Sequence, residues 1–431
     1  MKALLLAAAI LTSGQWSLSD CIKYALDHNI NIQQSGLAVQ QKEVALNTAR
    51  NRRLPNLSGS ASQNFSFGRG LTADNTYDNT NTTSTSFSLG TSVPVFQGFD
   101  IKYDIAMSKL DLAAATSDLE KARNDIRTSV AADYAQILYN REILQVARNQ
   151  VRIDSMLVDR IETMREAGKA SAADVAAQKA TLAQSLLSET QASNNLNLAI
   201  LDLTQLLELE SPEGFDIVVP STETLGLQLL LSPEDIFADA VEIKPEIAAE
   251  KLRLDYAKTS IARAKGAYLP YLSLSGGIGS NYYTSSNRTS DTFGNQMKNN
   301  FSQYIGLNLN IPIFSRFSTR NQVKSASLSF TSQELQLQNT KKNLYKEIQQ
   351  AYYNALASGE KYNSSHAAAE SARLSYELTE EKYENGKASI TEYNEAKNRY
   401  LEAESNFLQS RYEYLYLTRL LDFYRGKELN F

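Results

Sequence analysis

The chain has 431 residues, of which 21% are charged and 42% hydrophobic, and its formal net charge is −5. That balance leaves no basic footprint for nucleic acid. Two histidines (His28, His366) and one cysteine (Cys21) exclude the common zinc, haem and iron–sulfur ligand sets and any internal disulfide framework.

Met1-Lys2, the apolar run Ala3 to Leu11 and the small residues Thr12-Ser13-Gly14-Gln15 predict an export signal over residues 1–15. The run is too short to span a bilayer, and no later window holds ~18 uninterrupted apolar residues. Any membrane crossing by the mature chain therefore falls to strands. Cys21 follows Leu18-Ser19-Asp20, where a lipid-attachment box needs a small residue in place of Asp20. It reads as a small apolar residue on an early helix.

A helical stretch ending at Arg53-Leu54-Pro55-Asn56-Leu57 leads into the first strand, predicted over 56–68. There Leu57, Gly59, Ala61, Phe65 and Phe67 alternate with Ser58, Ser60, Ser62, Asn64 and Ser66. A second strand, 84–95, alternates Phe87, Leu89, Thr91 and Val93 with Ser86, Ser88, Gly90 and Ser92. Roughly ten residues suffice for a tilted strand to cross a bilayer. A soluble sandwich shares this alternation. The wet face of Ser, Asn and Gly, without Lys or Glu, and the export signal favour lipid on one side and water on the other. The Asn/Thr/Ser/Asp-rich segments Arg69 to Thr83 and Thr284 to Asn300 read as exposed loops.

From Pro94 to Pro212 no proline occurs, and Val130, Ile137, Leu144, Val151 and Val158 recur every seven residues. Such spacing predicts coiled-coil packing with a wide wet surface; a solid antiparallel coiled coil carries the same pattern. A helix from about Phe99 to Arg165 would extend ~100 Å. It reverses at Gly168, which supplies a left-handed residue, and restarts at Ser171 with Asp174 as a capping box.

After a linker over 208–233, with Pro212, Pro220, Pro233 and a short strand Ile217-Val218-Val219, the sequence repeats itself. Leu269-Pro270-Tyr271-Leu272 answers Leu54-Pro55-Asn56-Leu57, Asn310-Ile311-Pro312-Ile313-Phe314 answers Ser92-Val93-Pro94-Val95-Phe96, and Gly386-Lys387-Ala388-Ser389 answers Gly168-Lys169-Ala170-Ser171. The offsets are ~215 to 218, and landmarks that keep order and register mark an internal duplication. Repeat 1 spans 16–207 with its tip near 168. Repeat 2 spans 234–431, with strands predicted over 271–283 and 301–313 and its tip near 386, where Ser389 and Glu392 form the second capping box. Tyrosines recur by sevens there: Tyr345 and Tyr352, Tyr376 and Tyr383, Tyr393 and Tyr400.

Four membrane strands cannot close a barrel, and open edges are not tolerated in lipid. Several chains must share one. The fold class is thus mixed α and β: a shared transmembrane β-barrel, four strands per chain, continuing into a long coiled-coil α-helical barrel. A periplasmic coiled-coil scaffold or adaptor with a small β domain is the alternative. No Gly-rich phosphate loop, histidine cluster or nucleophile arrangement points to an enzyme, and no cofactor is expected.

With these landmarks the chain resembles the TolC-like outer-membrane efflux duct family. The resemblance rests on the paired Leu-Pro entries, the two Pro-Val/Ile-Phe exits and the two glycine tips, and runs from about Trp16 to Phe431. It implies a homotrimer in outer-membrane lipid, a twelve-stranded barrel and a helical tunnel in the periplasm. It also implies a periplasmic adaptor (membrane fusion protein) and an inner-membrane RND or ABC transporter that supplies the energy. Glu392 and Glu395 then match acidic ring positions at the periplasmic mouth, Asp174 an acidic partner, and Tyr383 a tyrosine that holds the closed tip. Arg165, Gly168, Lys169, Gly386 and Lys387 fall at the adaptor-docking tips. Ala388 and Ala173 stand where relatives carry arginine and threonine, so the arginine arm of the lock is missing unless Lys387 replaces it. Read from the residues alone, Asp174 and Glu392 also suit plain capping boxes, Glu395 a solvated glutamate and Tyr383 a core tyrosine. Six carboxylates around one axis would raise some of their pKa values.

Overall fold

A computed structural model describes residues 15–71, 75–220, 230–286 and 289–431. The body of the expected export signal and part of the expected linker lie outside the described residues. The chain divides into two compact units: residues up to 37 with 116–249 and 338–431, and residues 38–115 with 250–337.

The second unit holds a four-stranded antiparallel sheet made of β1 (Asn56–Ser66), β4 (Thr82–Gln97), β5 (Tyr271–Ser285) and β6 (Ser302–Asn310), in the order β1-β4-β5-β6. The register keeps the alternation of the sequence in step across strands. Ala61 faces Phe87, and Leu89 faces both Gly59 and Ile278, on one side. On the other, Ser60 pairs with Ser88 and Ser62 with Ser86 through hydroxyl hydrogen bonds of 2.7 Å. None of the four strands contains Asp, Glu, Lys, Arg or His. Among the described residues most of the apolar side is open: Ile305 is 86% exposed and Leu57 77%. β1 and β6, the outer strands, each have one edge without a strand partner among the described residues.

Two short elements correct the reading of the polar segments as plain loops. Arg69–Leu71 (β2) and Tyr77–Asn79 (β3) form a small hairpin, and Phe293–Asn299 (α7) is a helical turn. Thr292 caps α7 through Asn295 N–H, and Gln296 ties it to β5 by exchanging hydrogen bonds with the Tyr283 backbone. Local side-chain–backbone bonds of this kind need no hydrophobic period, so nothing in the alternation marks them.

Below the sheet, Arg52 bridges Asp100 and Asp104 at 2.8 and 2.6 Å, and Arg263 reaches the same two carboxylates at 2.7 and 3.1 Å. The chain turns there through Gly98, where an added Cβ would sit 2.2 Å from the Gly266 carbonyl oxygen.

The helices come in matched lengths: α1 (Leu18–His28) and α5 (Pro233–Ile243), α2 (Ile30–Asn51) and α6 (Pro245–Gly266), α3 (Asp100–Glu166) and α8 (Ser318–Glu384), α4 (Ala172–Leu206) and α9 (Ile390–Tyr424). The 67-residue α3 fulfils the expected long helix. Left-handed backbone recurs as well: Gly98, Phe99, Gly168 and Glu208 have positive φ, and so do Arg316, Phe317, Gly386 and Gly426. Each of the second set lies ~218 positions after its counterpart.

In the first unit four of the five stripe residues are buried, Val130 and Ile137 at 0% exposure with Leu144 and Val158, while Val151 is half-buried. Cys21, Ala25, Leu138 and Leu203 join that core. Burial pushes the Cys21 thiol up to about 12, so it is an inert core residue. Ile217 pairs with Trp16 in a single parallel bridge, and Tyr134 Oη donates to the Trp16 and Val218 carbonyls. The predicted strand at 217–219 is thus one bridge. On α8 the tyrosine period misleads at Tyr345 and Tyr352, which are half-buried, whereas Leu344, Ile348, Ala351 and Ala355 form the seam.

Candidate functional site

The α3–α4 and α8–α9 turns are built alike. Gly168 and Gly386, at φ 73° and 69°, close their helices. Gly168 N–H donates to Arg165 O and Lys169 N–H to Met164 O; Gly386 N–H donates to Tyr383 O and Lys387 N–H to Lys382 O. This is the Schellman arrangement, which needs a left-handed residue at its centre. Arg165, Gly168, Lys169, Gly386 and Lys387 are all exposed.

The next helices open with the predicted capping boxes. Ser171 and Asp174 exchange side-chain-to-backbone bonds, as do Ser389 and Glu392. Hydrogen bonds from Ser171 hold the Asp174 carboxyl below the ordinary range, and those from Ser389 do the same for Glu392. Within one chain these contacts work against the raised pKa values expected of a carboxylate ring. Glu395 lies one turn on and pairs with Arg399 at 3.7 Å, both side chains being well exposed.

Tyr383 sits differently. It is half-buried against Leu157, Tyr376 and Tyr393, with its ring 5.1 Å from that of Tyr393. The guanidinium of Arg160, on α3, lies 5.2 Å from the Tyr383 ring centroid. Burial raises the Tyr383 pKa, Arg160 lowers it, and Asp174 raises it, so Asp174, Arg160 and Tyr383 share one electrostatic neighbourhood. A cation thus reaches Tyr383 from α3, although position 388 carries alanine.

Sequence reasoning missed the group beneath. Tyr376 and Tyr393 hydroxyls meet at 2.9 Å, and Tyr376 donates to Glu380 at 2.9 Å. One turn further from the tip, Lys397 on α9 pairs with Asp154 on α3, both side chains buried. Asp154 stands between Val151 and Val158 on the apolar stripe, and Lys397 between Tyr393 and Tyr400. A charge on the buried face of a heptad was the available signal. Among the described residues no group of three or more His, Cys, Asp or Glu side chains is arranged to hold a metal. No helix there is long and apolar enough to cross a membrane.

The sequence profile described as "Outer membrane efflux protein" matches residues 21–208 and again 237–422. The chain belongs to this family. It is 25% identical to the outer membrane protein TolC of Escherichia coli (strain K12) over 376 residues, which covers 86% of this chain and 74% of that protein. Its fold matches the CmeC outer membrane channel of Campylobacter jejuni with a TM-score of 0.80 at 20% identity, covering 96% of this chain and 87% of CmeC. It matches CusC with a TM-score of 0.79 at 17% identity, covering 97% and 95%. The protein is an outer-membrane efflux channel of the TolC-like family, with its helical portion in the periplasm. The family is one of channels, not enzymes.

Proposed function

We propose that three copies of this chain pair β1 to β6 around a ring, closing a twelve-stranded barrel whose helical continuation forms a passive exit duct across periplasm and outer membrane. The observation that carries this reading is the four-stranded sheet with two unpaired edges and a mostly open apolar side among the described residues. Such edges do not persist in lipid, and four strands cannot close on themselves. The serine-rich side becomes the water-filled lumen. The matched helix lengths and the positive-φ residues ~218 positions apart support two repeats, 16–207 and 234–431, joined by a linker over 208–233. Residues 1–15 are the export signal.

The duct draws its driving force from an inner-membrane RND or ABC transporter through a periplasmic adaptor, in a tripartite efflux or type I secretion system. The adaptor docks on the tips around Arg165, Gly168, Lys169, Gly386 and Lys387. Asp174, Glu392 and Glu395 ring the mouth with carboxylates, and Tyr383 holds it shut. Fractionation tests the core of this reading. The protein should appear in the outer membrane as a heat-resistant oligomer that conducts ions in planar bilayers. Recovery as a soluble monomer would refute it.

A further inference from the structure

The pair Asp154–Lys397 differs from other bridges between helices of this unit. Its side chains are 0% and 2% exposed, against 44% for both members of Lys361–Glu413. Like Arg411–Glu142 it ties α9 to α3, but it does so closer to the tips. Asp154 is saturated: Oδ1 accepts from Lys397 Nζ and from Gln178 Nε2 at 3.5 Å, and Oδ2 accepts from Gln150 Nε2 at 2.6 Å and Ser185 Oγ at 2.5 Å. The shell is not: Gln150 Oε1 and Asn394 Oδ1 are buried without a hydrogen-bond partner among the described residues. Beside Gln150 opens a cavity of about 520 Å³, lined also by Ser185, Ala147, Ala180 and Leu401.

Packed apolar side chains hold helices together at least as well as a buried ion pair. What the pair adds is register, and a contact that can be broken and remade once water reaches it. The cavity has room for that water, and the unpaired Gln150 Oε1 on its wall can bind it. We propose that Asp154 and Lys397 are a releasable latch that holds α9 against α3 and α4 while the mouth is shut and parts when it opens. They are positioning residues: they act on the mouth through the α9 backbone and through Tyr393, whose ring lies 6.0 Å from Lys397 Nζ and whose hydroxyl bonds Tyr376. The inference rests on the reading of the helical tips as a gated mouth.

Single-channel recording on the purified full-length oligomer in planar bilayers tests it. Asp154→Asn and Lys397→Met each break the pair and should raise the open fraction ~10-fold, since removing one buried partner strands the other. The exchange Asp154→Lys with Lys397→Asp should return it towards wild type, which a merely space-filling role would not do. Ser185→Ala, a milder change at the same carboxylate, should give a smaller rise and guards against loss of assembly in the stronger variants. Wild-type gating in Ser185→Ala and both single variants, or an exchange no better than the singles, would overturn the latch. A wild-type protein that makes no channel would instead overturn the duct reading on which it rests.

Discussion

The guanidinium of Arg160 stands 5.2 Å from the ring centroid of Tyr383, joining α3 to α8 just above the tips. It supplies a cation to the tyrosine that position 388, an alanine, does not. At an exposed site such a contact contributes about 0.5–1 kcal/mol. Arg160→Ala and Tyr383→Leu should therefore couple by that amount in a double-mutant cycle read by hydrogen exchange around residues 376–393. Strictly additive effects would show that the two side chains are mere neighbours.

Glu392 tests charge apart from fold. Glutamine at this helix position preserves the capping box. Glu392→Gln with Glu395→Gln should keep α9 intact by circular dichroism yet weaken block of single-channel current by multivalent cations, because a carboxylate-lined mouth concentrates them. Unchanged block would remove both residues from the mouth.

At Gly168 and Gly386 an added Cβ meets nothing within 4 Å, so the cost of substitution lies in the backbone alone. A side chain at these φ values costs about 1–2 kcal/mol. Gly168→Val or Gly386→Val should distort the exposed turn, leave the oligomer assembled, and lower pump-dependent resistance or export. Full resistance in both variants would argue against docking at the tips.

Asp133 on α3 offers a pH test away from the mouth. Burial, with Asp202 nearby, raises its carboxyl from 3.8 to about 6. The folded state thus holds this proton more tightly than the unfolded chain does. Its contribution is fully present below pH ~4 and is lost as pH rises through ~6. Asp133→Asn should raise Tm at pH 7 and leave it nearly unchanged at pH ~4. An equal shift at both pH values would show that ionisation is not the cause.

Much of this architecture could be read from periodicity. The alternation on β1 and β4 located the sheet, the valine and isoleucine heptad located the α3 seam, and the two glycines with their Ser–Asp and Ser–Glu boxes located the turns. These signals are local, so one sequence carries them. Contacts between distant segments left weaker traces. Asp154 and Lys397 interrupt apolar stripes, but only the meeting of α3 and α9 shows that they pair. Tyr345 and Tyr352 keep the period of the seam without lying in it. The β2–β3 pairing is only three residues a strand, and α7 is fixed by side-chain–backbone bonds, so neither leaves a period. The proposed roles of Asp174, Glu392 and Glu395 at a mouth involve further copies of the chain, which one sequence does not place.

The sheet of one chain ends on β1 and β6, each with one edge that has no strand partner among the described residues. The two outer strands of its sheet lie three strand spacings apart, ~14 Å, too far for a disulfide within one chain. Single cysteines placed on β1 (Ser62) together with each of Tyr304, Ile305 and Gly306 on β6 therefore report on contacts between copies; the native Cys21 is buried and does not compete. Oxidation in native outer membranes should give a ladder of cross-linked dimer and trimer that stops at the trimer. Monomer alone at every β6 position, or a ladder that runs on without closing, would contradict a barrel closed by three copies.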